Sequence, residues 1–245
     1  MNKLPIMVVI GGSRGIGAAT ARMAAARGWH VVLTYRSGVS EAETLVSDIV
    51  AAGGKASAIA CDSAREADIV ALFDATARLG PLGAMVYAAG ITGAASPLAE
   101  AEAATLEQVI AVNLTGAMVC AREAVRHMAT SRGGTGGSVI FISSRASDRG
   151  SAGEYVWYAA SKGGVNALSL GLAREVAADG IRVNCVSPGP VATEMLSPER
   201  QAKGAAAVAM GRVGTPDEVA SAVLYLASTE ASYITAANLA VAGGA

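Results

Sequence analysis

The chain has 245 residues, 52% hydrophobic and only 16% charged, with a formal net charge of −1. So near-neutral a balance removes any bulk electrostatic case for binding nucleic acid or an anionic membrane. An apolar chain of this length can bury a full core as one domain. Cys61, Cys120 and Cys185 form no C-x-x-C and read as buried thiols of a reducing, cytoplasmic compartment, not as disulfides or metal ligands.

Taken in order, the chain repeats one unit: a short β-branched run, a turn, then a helical pattern. Strands are predicted over 6–10, 29–35, 55–61, 84–87, 138–142, 181–186 and 238–241. They lack in/out alternation, as parallel strands covered on both faces should. Residues 79–99 carry no charge, but two prolines and four glycines spoil them as a membrane helix and fit a buried strand running into a loop. The stretch 4–10 runs directly into Gly11-Gly12, too short for a signal peptide. Capping boxes are expected at Ser40/Glu43, Ser63/Glu66, Thr105/Gln108 and Thr215/Glu218. This alternation predicts an α/β single-domain doubly wound Rossmann fold, a seven-stranded parallel sheet with helices on both faces. Ligands then bind at the carboxyl ends of the strands.

The first strand delivers Gly11-Gly12-Ser13-Arg14-Gly15-Ile16-Gly17 and a helix follows. Glycines there let the backbone approach a pyrophosphate resting on free N–H groups, or serve a tight turn alone. An NAD-preferring site usually has an acidic residue about 20 positions on, yet no Asp or Glu precedes Glu41. Tyr35, Arg36 and Ser37 stand there instead, and Arg14 lies in the loop. Two guanidinium groups suit a ribose 2′-phosphate unless both are simply solvated, so the preferred cofactor is NADP. After the third strand, Asp62 could accept from an adenine amino group or cap a helix, with Ser63 beside it. Tyr87-Ala88-Ala89-Gly90 would let a flat ring lie close. Asn113, in an apolar helical run, bonds backbone or an ordered water.

A helix is predicted over 159–178, apolar at Val165, Leu168, Leu172 and Val176. At its start Tyr158 and Lys162 are four apart and share a face. A nearby ammonium would lower the phenol's pKa from about 10 and make the pair a proton donor and acceptor. The alternative is a packed tyrosine beside a solvated lysine.

The order glycine loop, Asp62, Ala89-Gly90, Asn113, Ser144, Tyr158-x-x-x-Lys162, Pro188-Gly189 closely resembles the classical short-chain dehydrogenase/reductase family, and its glucose/ribitol dehydrogenase-like members most, over essentially the whole chain. The resemblance implies Tyr158 as acid/base, Lys162 lowering its pKa and holding the nicotinamide ribose, Ser144 bonding the reacting carbonyl, and Asn113 holding a water in a proton relay. It implies that Pro188, Gly189, Val191 and Thr193 border the nicotinamide, that residues 193–211 form a mobile substrate lid, and that the protein is a homotetramer. The substrate would be a small carbonyl, sugar or polyol. A carrier-bound 3-oxoacyl thioester is the alternative, docked through Arg122, Arg126 and Arg132, and a non-catalytic NADP-binding sensor or scaffold is a third reading. The chain departs from the family pattern at Ile10 (usually Thr), Tyr87-Ala88 (usually Asn-Asn), Ala236 (usually Gly) and Ala242 (usually Asp). The Ser144–Tyr158 separation is also one residue longer than the commonest. These losses touch groups that brace the cofactor loops.

Overall fold

The computed structural model describes residues 5–194 and 196–245. Seven parallel strands, β1 (Ile6–Ile10), β2 (His30–Tyr35), β3 (Lys55–Ala60), β4 (Leu82–Tyr87), β5 (Gly137–Ile142), β6 (Ile181–Pro188) and β7 (Asn238–Val241), form one sheet in the order β3-β2-β1-β4-β5-β6-β7. The sequence places each within two residues at either end; β4 begins earlier, at Leu82, and β6 runs on to Pro188. Between them lie α1 (Gly15–Ala26), α2 (Val39–Ala51), α3 (Glu66–Leu79), α4 (Ala103–Ile110), α5 (Gly116–Met128), α6 (Ala146–Arg149), α7 (Val156–Val176), α8 (Pro198–Ala206) and α9 (Pro216–Ala227).

Successive strand residues point to opposite faces, and here both faces are covered. Ile6, Val8, Ile10, Met85, Tyr87 and Phe141 pack with α3, α5 and α7. Met7, Val9, Leu33, Val86 and Ile140 pack with α1, α2 and α9. The edges differ: β3 is only half-buried and β7 is largely exposed. Strand order reverses between β1 and β4, the crevice where such folds bind ligands.

Only one expected capping box forms: Thr215 accepts from Glu218 N–H while the Glu218 carboxylate accepts from Thr215 N–H. α2 starts at Val39 behind Gly38, α3 at Glu66 behind Arg65, and α4 at Ala103 behind Glu102, none with a side-chain cap. Ser40 and Thr105 therefore stand inside their helices. Ser63 lies before its helix, buried and two residues ahead of the cap position at Arg65. The helix predicted over 159–178 begins earlier, so Tyr158 sits within its first turn. α4 and α5 are joined by a π-turn, Ala111–Thr115, into a helix Ala103–Met128 long and apolar enough to cross a membrane. In the fold, Ala117, Cys120, Ala121, Ala124 and Met128 from this helix lie in the core.

Candidate active site

Every strand from β1 to β6 ends at one rim, and the residues singled out above follow those ends. The glycine loop is held from below. Gly11 N–H donates to the Thr34 hydroxyl (3.0 Å) and Gly12 N–H to the Thr34 carbonyl (2.9 Å). A Cβ on Gly11 would stand 2.8 Å from the Ala89 backbone, and one on Gly17 would collide with the Gly11 carbonyl. Gly15 takes φ +52°, where glycine is favoured, and faces the Thr193 methyl. The first turn of α1, with Ile16 packed beneath it and Ser13 just outside, has no side-chain cap on its N–H groups. Such orphan donors, approached through glycine, are a ready anion site.

Arg14 reaches across this site. Its guanidinium is 3.3 Å from the Glu194 carboxylate, both side chains exposed, and would lie 3.3 Å from a Cβ placed on Gly38, in the loop between β2 and α2. Arg36 and Ser37 are exposed on the same loop. Glu41 also reaches Gly38 from the first turn of α2, so one carboxylate does share this neighbourhood. Asp62 accepts from Ala64 N–H (3.0 Å), which makes it the brace of a turn rather than the cap of α3.

Lys162 is 3% exposed, and its ammonium donates to the Ile142 carbonyl at 2.7 Å. Burial pulls it down to about 8. Gly90 makes the space: a Cβ there would lie 3.4 Å from Lys162 Nζ and 3.5 Å from Asn113 Oδ1. Asn113 is fully buried in the π-turn. Its oxygen accepts from Ile91 N–H (2.8 Å), and its amide donates to the Ile91 carbonyl (2.9 Å) and the Ser161 hydroxyl (3.0 Å). The side chain thus bonds protein, and a water would find only the second lone pair of its oxygen.

Tyr158 neighbours the Ser144 hydroxyl, whose influence favours the phenolate, but burial outweighs it and raises the phenol's pKa. Lowering of that pKa by Lys162 is therefore not found in this arrangement. The ammonium is 5.8 Å from the ring centroid and is committed to Ile142. Ser144 also accepts from Ala146 N–H (3.1 Å). On the far rim, Gly189 N–H pairs with the Val241 carbonyl and Thr193 N–H with that of Val191, behind the buried Pro188. A groove of about 600 Å³ opens between Gly15, Arg22, Thr193, Gln201 and Asp217. Arg200 of α8 donates to Glu154 at 2.6 Å and lies 4.8 Å above the Tyr155 ring, tying α8 to the segment that leads into Tyr158.

Several contributors were not legible beforehand. Ser161 donates back to the Tyr158 carbonyl (2.7 Å), Trp157 Nε1–H donates to the Thr92 carbonyl (2.7 Å), and Thr34 braces the glycine loop. The only signal for each was a polar or aromatic residue in an apolar run. The cysteines are free and buried; burial pushes Cys61 and Cys185 up to about 11 and Cys120 well above the ordinary thiol value, which leaves them unreactive. Arg122 and Arg126 are both paired with Glu123, and Arg122 also with Glu66, which neutralises the basic face expected of them. Among the described residues no three His, Cys, Asp or Glu side chains gather as a metal site.

A family profile described as enoyl-(acyl carrier protein) reductase matches residues 10–245. The chain belongs to the short-chain dehydrogenase/reductase family. It is 43% identical to the uncharacterized oxidoreductase YgfF of Escherichia coli, over 98% of this chain and 100% of that one. It is 38% identical to cis-4-hydroxycyclohexanecarboxylate dehydrogenase of Sinomonas cyclohexanicum, over 98% and 95%. The crystal structure of a blue fluorescent protein from a metagenomic library, in complex with NADPH, superposes with a TM-score of 0.90 at 35% identity over 98% and 97%. The chain is accordingly an oxidoreductase of the dehydrogenase/reductase kind, on the Rossmann fold expected of it.

Proposed function

We propose that this oxidoreductase uses NADP(H) to interconvert a ketone and a secondary alcohol on a small carbonyl, sugar or polyol-like substrate, with Tyr158 as the acid/base. The observation that carries the reading is the placement of the Lys162 ammonium beside the Tyr158 ring, in the space left by Gly90, with Ser144 as a neighbour and the uncapped first turn of α1 on the same rim. That turn and the glycine loop fit a pyrophosphate, and Arg14 and Arg36 fit a 2′-phosphate. The NADPH complex of the metagenomic relative supports the same choice. When bound, the nicotinamide supplies or accepts the hydride.

The chain's own groups manage the rest. In reduction, the Ser144 hydroxyl donates to the carbonyl oxygen as charge builds on it. Tyr158 is kept protonated by burial and delivers its proton to that oxygen. Lys162 holds a positive charge below the pair and, with its remaining N–H donors, can hold a ribose hydroxyl. Asn113 fixes Ile91 and Ser161 around them. Residues 193–211 act as the substrate lid, closed through Arg200. The exposed Met118 of α5 and Leu170 of α7 suit an interface between copies of the chain in a cytoplasmic homotetramer. Internal pairing of Arg122 and Arg126 weighs against an acidic carrier-protein partner.

Tyr158→Phe keeps the ring and removes the transferable proton. NADPH binding should survive, while turnover on a panel of cyclic ketones, sugars, polyols and oxoacyl thioesters falls by about 10²–10⁴-fold. A wild-type protein that binds NADPH yet turns over nothing in the panel would favour a sensor or scaffold instead.

A further inference from the structure

In an α-helix the Gly116 N–H would bond the carbonyl four residues back, that of Val112. Here it bonds Ala111, five back, because the register slips through the π-turn Ala111–Thr115. The Val112 carbonyl thereby loses its helical donor, and a buried carbonyl left unpaired is costly. Its donor comes from another element: the Tyr87 hydroxyl, at the end of β4, donates to it. Tyr87 is 1% exposed, and burial raises its pKa so far that the donor proton is always present. Gly116 makes the approach possible. A Cβ there would lie 2.6 Å from the Tyr87 hydroxyl and closer still to the Ser63 carbonyl. The residue after Val112 is Asn113, whose amide holds Ile91 and Ser161. One residue of register turns a helix by about 100°, so the π-turn decides where that amide points.

We infer that Tyr87 is a positioning residue for the active site: by capturing the Val112 carbonyl its hydroxyl holds the π-turn open, and the open turn aims Asn113 at Ile91 and Ser161. The inference rests on the reading of Asn113 given above. The side chain departs from the family pattern, since Tyr87 stands where the resemblance leads one to expect asparagine.

Tyr87→Phe preserves the ring and deletes the hydroxyl. Thr76→Val is the control: Thr76 is equally buried, and its hydroxyl donates to the Leu72 carbonyl (2.8 Å) in α3, away from the site. Tyr87→Phe should lower kcat at least about tenfold, the loss of one buried hydrogen bond read as a rate. The KM for NADPH should stay within about twofold, whereas Thr76→Val should lower only the melting temperature. Gly116→Ala crowds the same hydroxyl from the helix side and should give the same loss of kcat. In an Asn113→Ala background Tyr87→Phe should cost nothing further, because both act through one amide. A crystal structure of Tyr87→Phe should show Gly116 N–H returned to Val112. Gly116 N–H still bonded to Ala111, or losses that multiply in the double variant, would overturn the inference. If Asn113→Ala turns over at the wild-type rate, the reading of the site fails, and the Gly116 bond alone decides whether Tyr87 holds the turn.

Discussion

Lys162 is where this site costs the fold stability, and the cost can be read as a pH dependence. Burial holds its ammonium at about 8 against an ordinary 10.5. Between those values the unfolded chain binds the proton and the folded chain does not, so stability rises with pH across that window. Below about 8 both states are protonated and the whole penalty stands. That gap of 2.5, at about 1.4 kcal/mol per pH unit, amounts to roughly 3.5 kcal/mol. Lys162→Met keeps most of the stem's packing and removes the charge, along with the bond to Ile142. The three buried cysteines and Tyr158 titrate the other way, since their raised values leave the folded state with more protons at high pH. Cys61, Cys120 and Tyr158 are common to both proteins and cancel in the difference, whereas Cys185, whose thiolate the Lys162 charge favours, is removed by Cys185→Ala in both proteins so that its titration does not enter. Urea unfolding followed by the fluorescence of buried Trp157, at pH 7 to 10.5 and fixed protein concentration, gives both curves. Wild type minus Lys162→Met should climb by roughly 3.5 kcal/mol between pH 8 and 10.5 and lie level below. A difference that is flat throughout would show that no buried charge is being neutralised, and the geometry assigned to Lys162 would be wrong.

The same titration should appear in catalysis. The kcat/KM for carbonyl reduction should be level at low pH and fall above about 8 as Lys162 loses its proton, while Tyr158, with its raised pKa, stays protonated. Alcohol oxidation, which needs the phenolate, should instead rise with pH, and parallel profiles in the two directions would refute the assignment. Arg36→Ala should raise the KM for NADPH and leave that for NADH nearly unchanged; equal losses with both cofactors would show that Arg36 reads no 2′-phosphate. Ala236 sits at φ +63°, a left-handed conformation that glycine adopts without strain. Ala236→Gly should therefore stabilise the protein by about 0.5–1 kcal/mol, relief of that strain outweighing the added freedom of the unfolded chain. A lower melting temperature would contradict this.

The fold was legible because both sheet faces are buried. Continuous runs such as Ile6–Ile10 have no other stable use, and their order sets the crossovers. The candidate site was legible as a gathering of residues, since the glycine loop opens α1 and Lys162 lies beside the Tyr158 ring as their spacing in the chain suggests. Helix starts were less so: Ser40, Ser63 and Thr105 match a capping pattern that the backbone uses only at Thr215, since the chain enters the other helices one or more residues away. The sign of the Tyr158 shift was not legible either. It depends on how much protein surrounds the ring and on where the Lys162 ammonium is already committed, and neither follows from a four-residue spacing.

Two of the departures from the family pattern, Ile10 and Tyr87, have a common physical answer. Ile10 offers no hydroxyl beneath the glycine loop, but Thr34 on the neighbouring strand supplies one to Gly11 N–H. Tyr87 lacks the amide expected at its position, but its longer side chain carries a hydroxyl across to α4–α5, where Val112 needs a donor. In both cases the demand belongs to the backbone: an N–H or a carbonyl that the rim geometry has stripped of its regular partner, which must be satisfied because it is buried. Any side chain that reaches it with the right polarity will serve. Ala236 is different, because no neighbour can substitute for a missing conformational freedom, and there the strain remains. A lost side-chain brace can therefore be replaced from the next element, whereas a lost glycine leaves a cost that only glycine can remove.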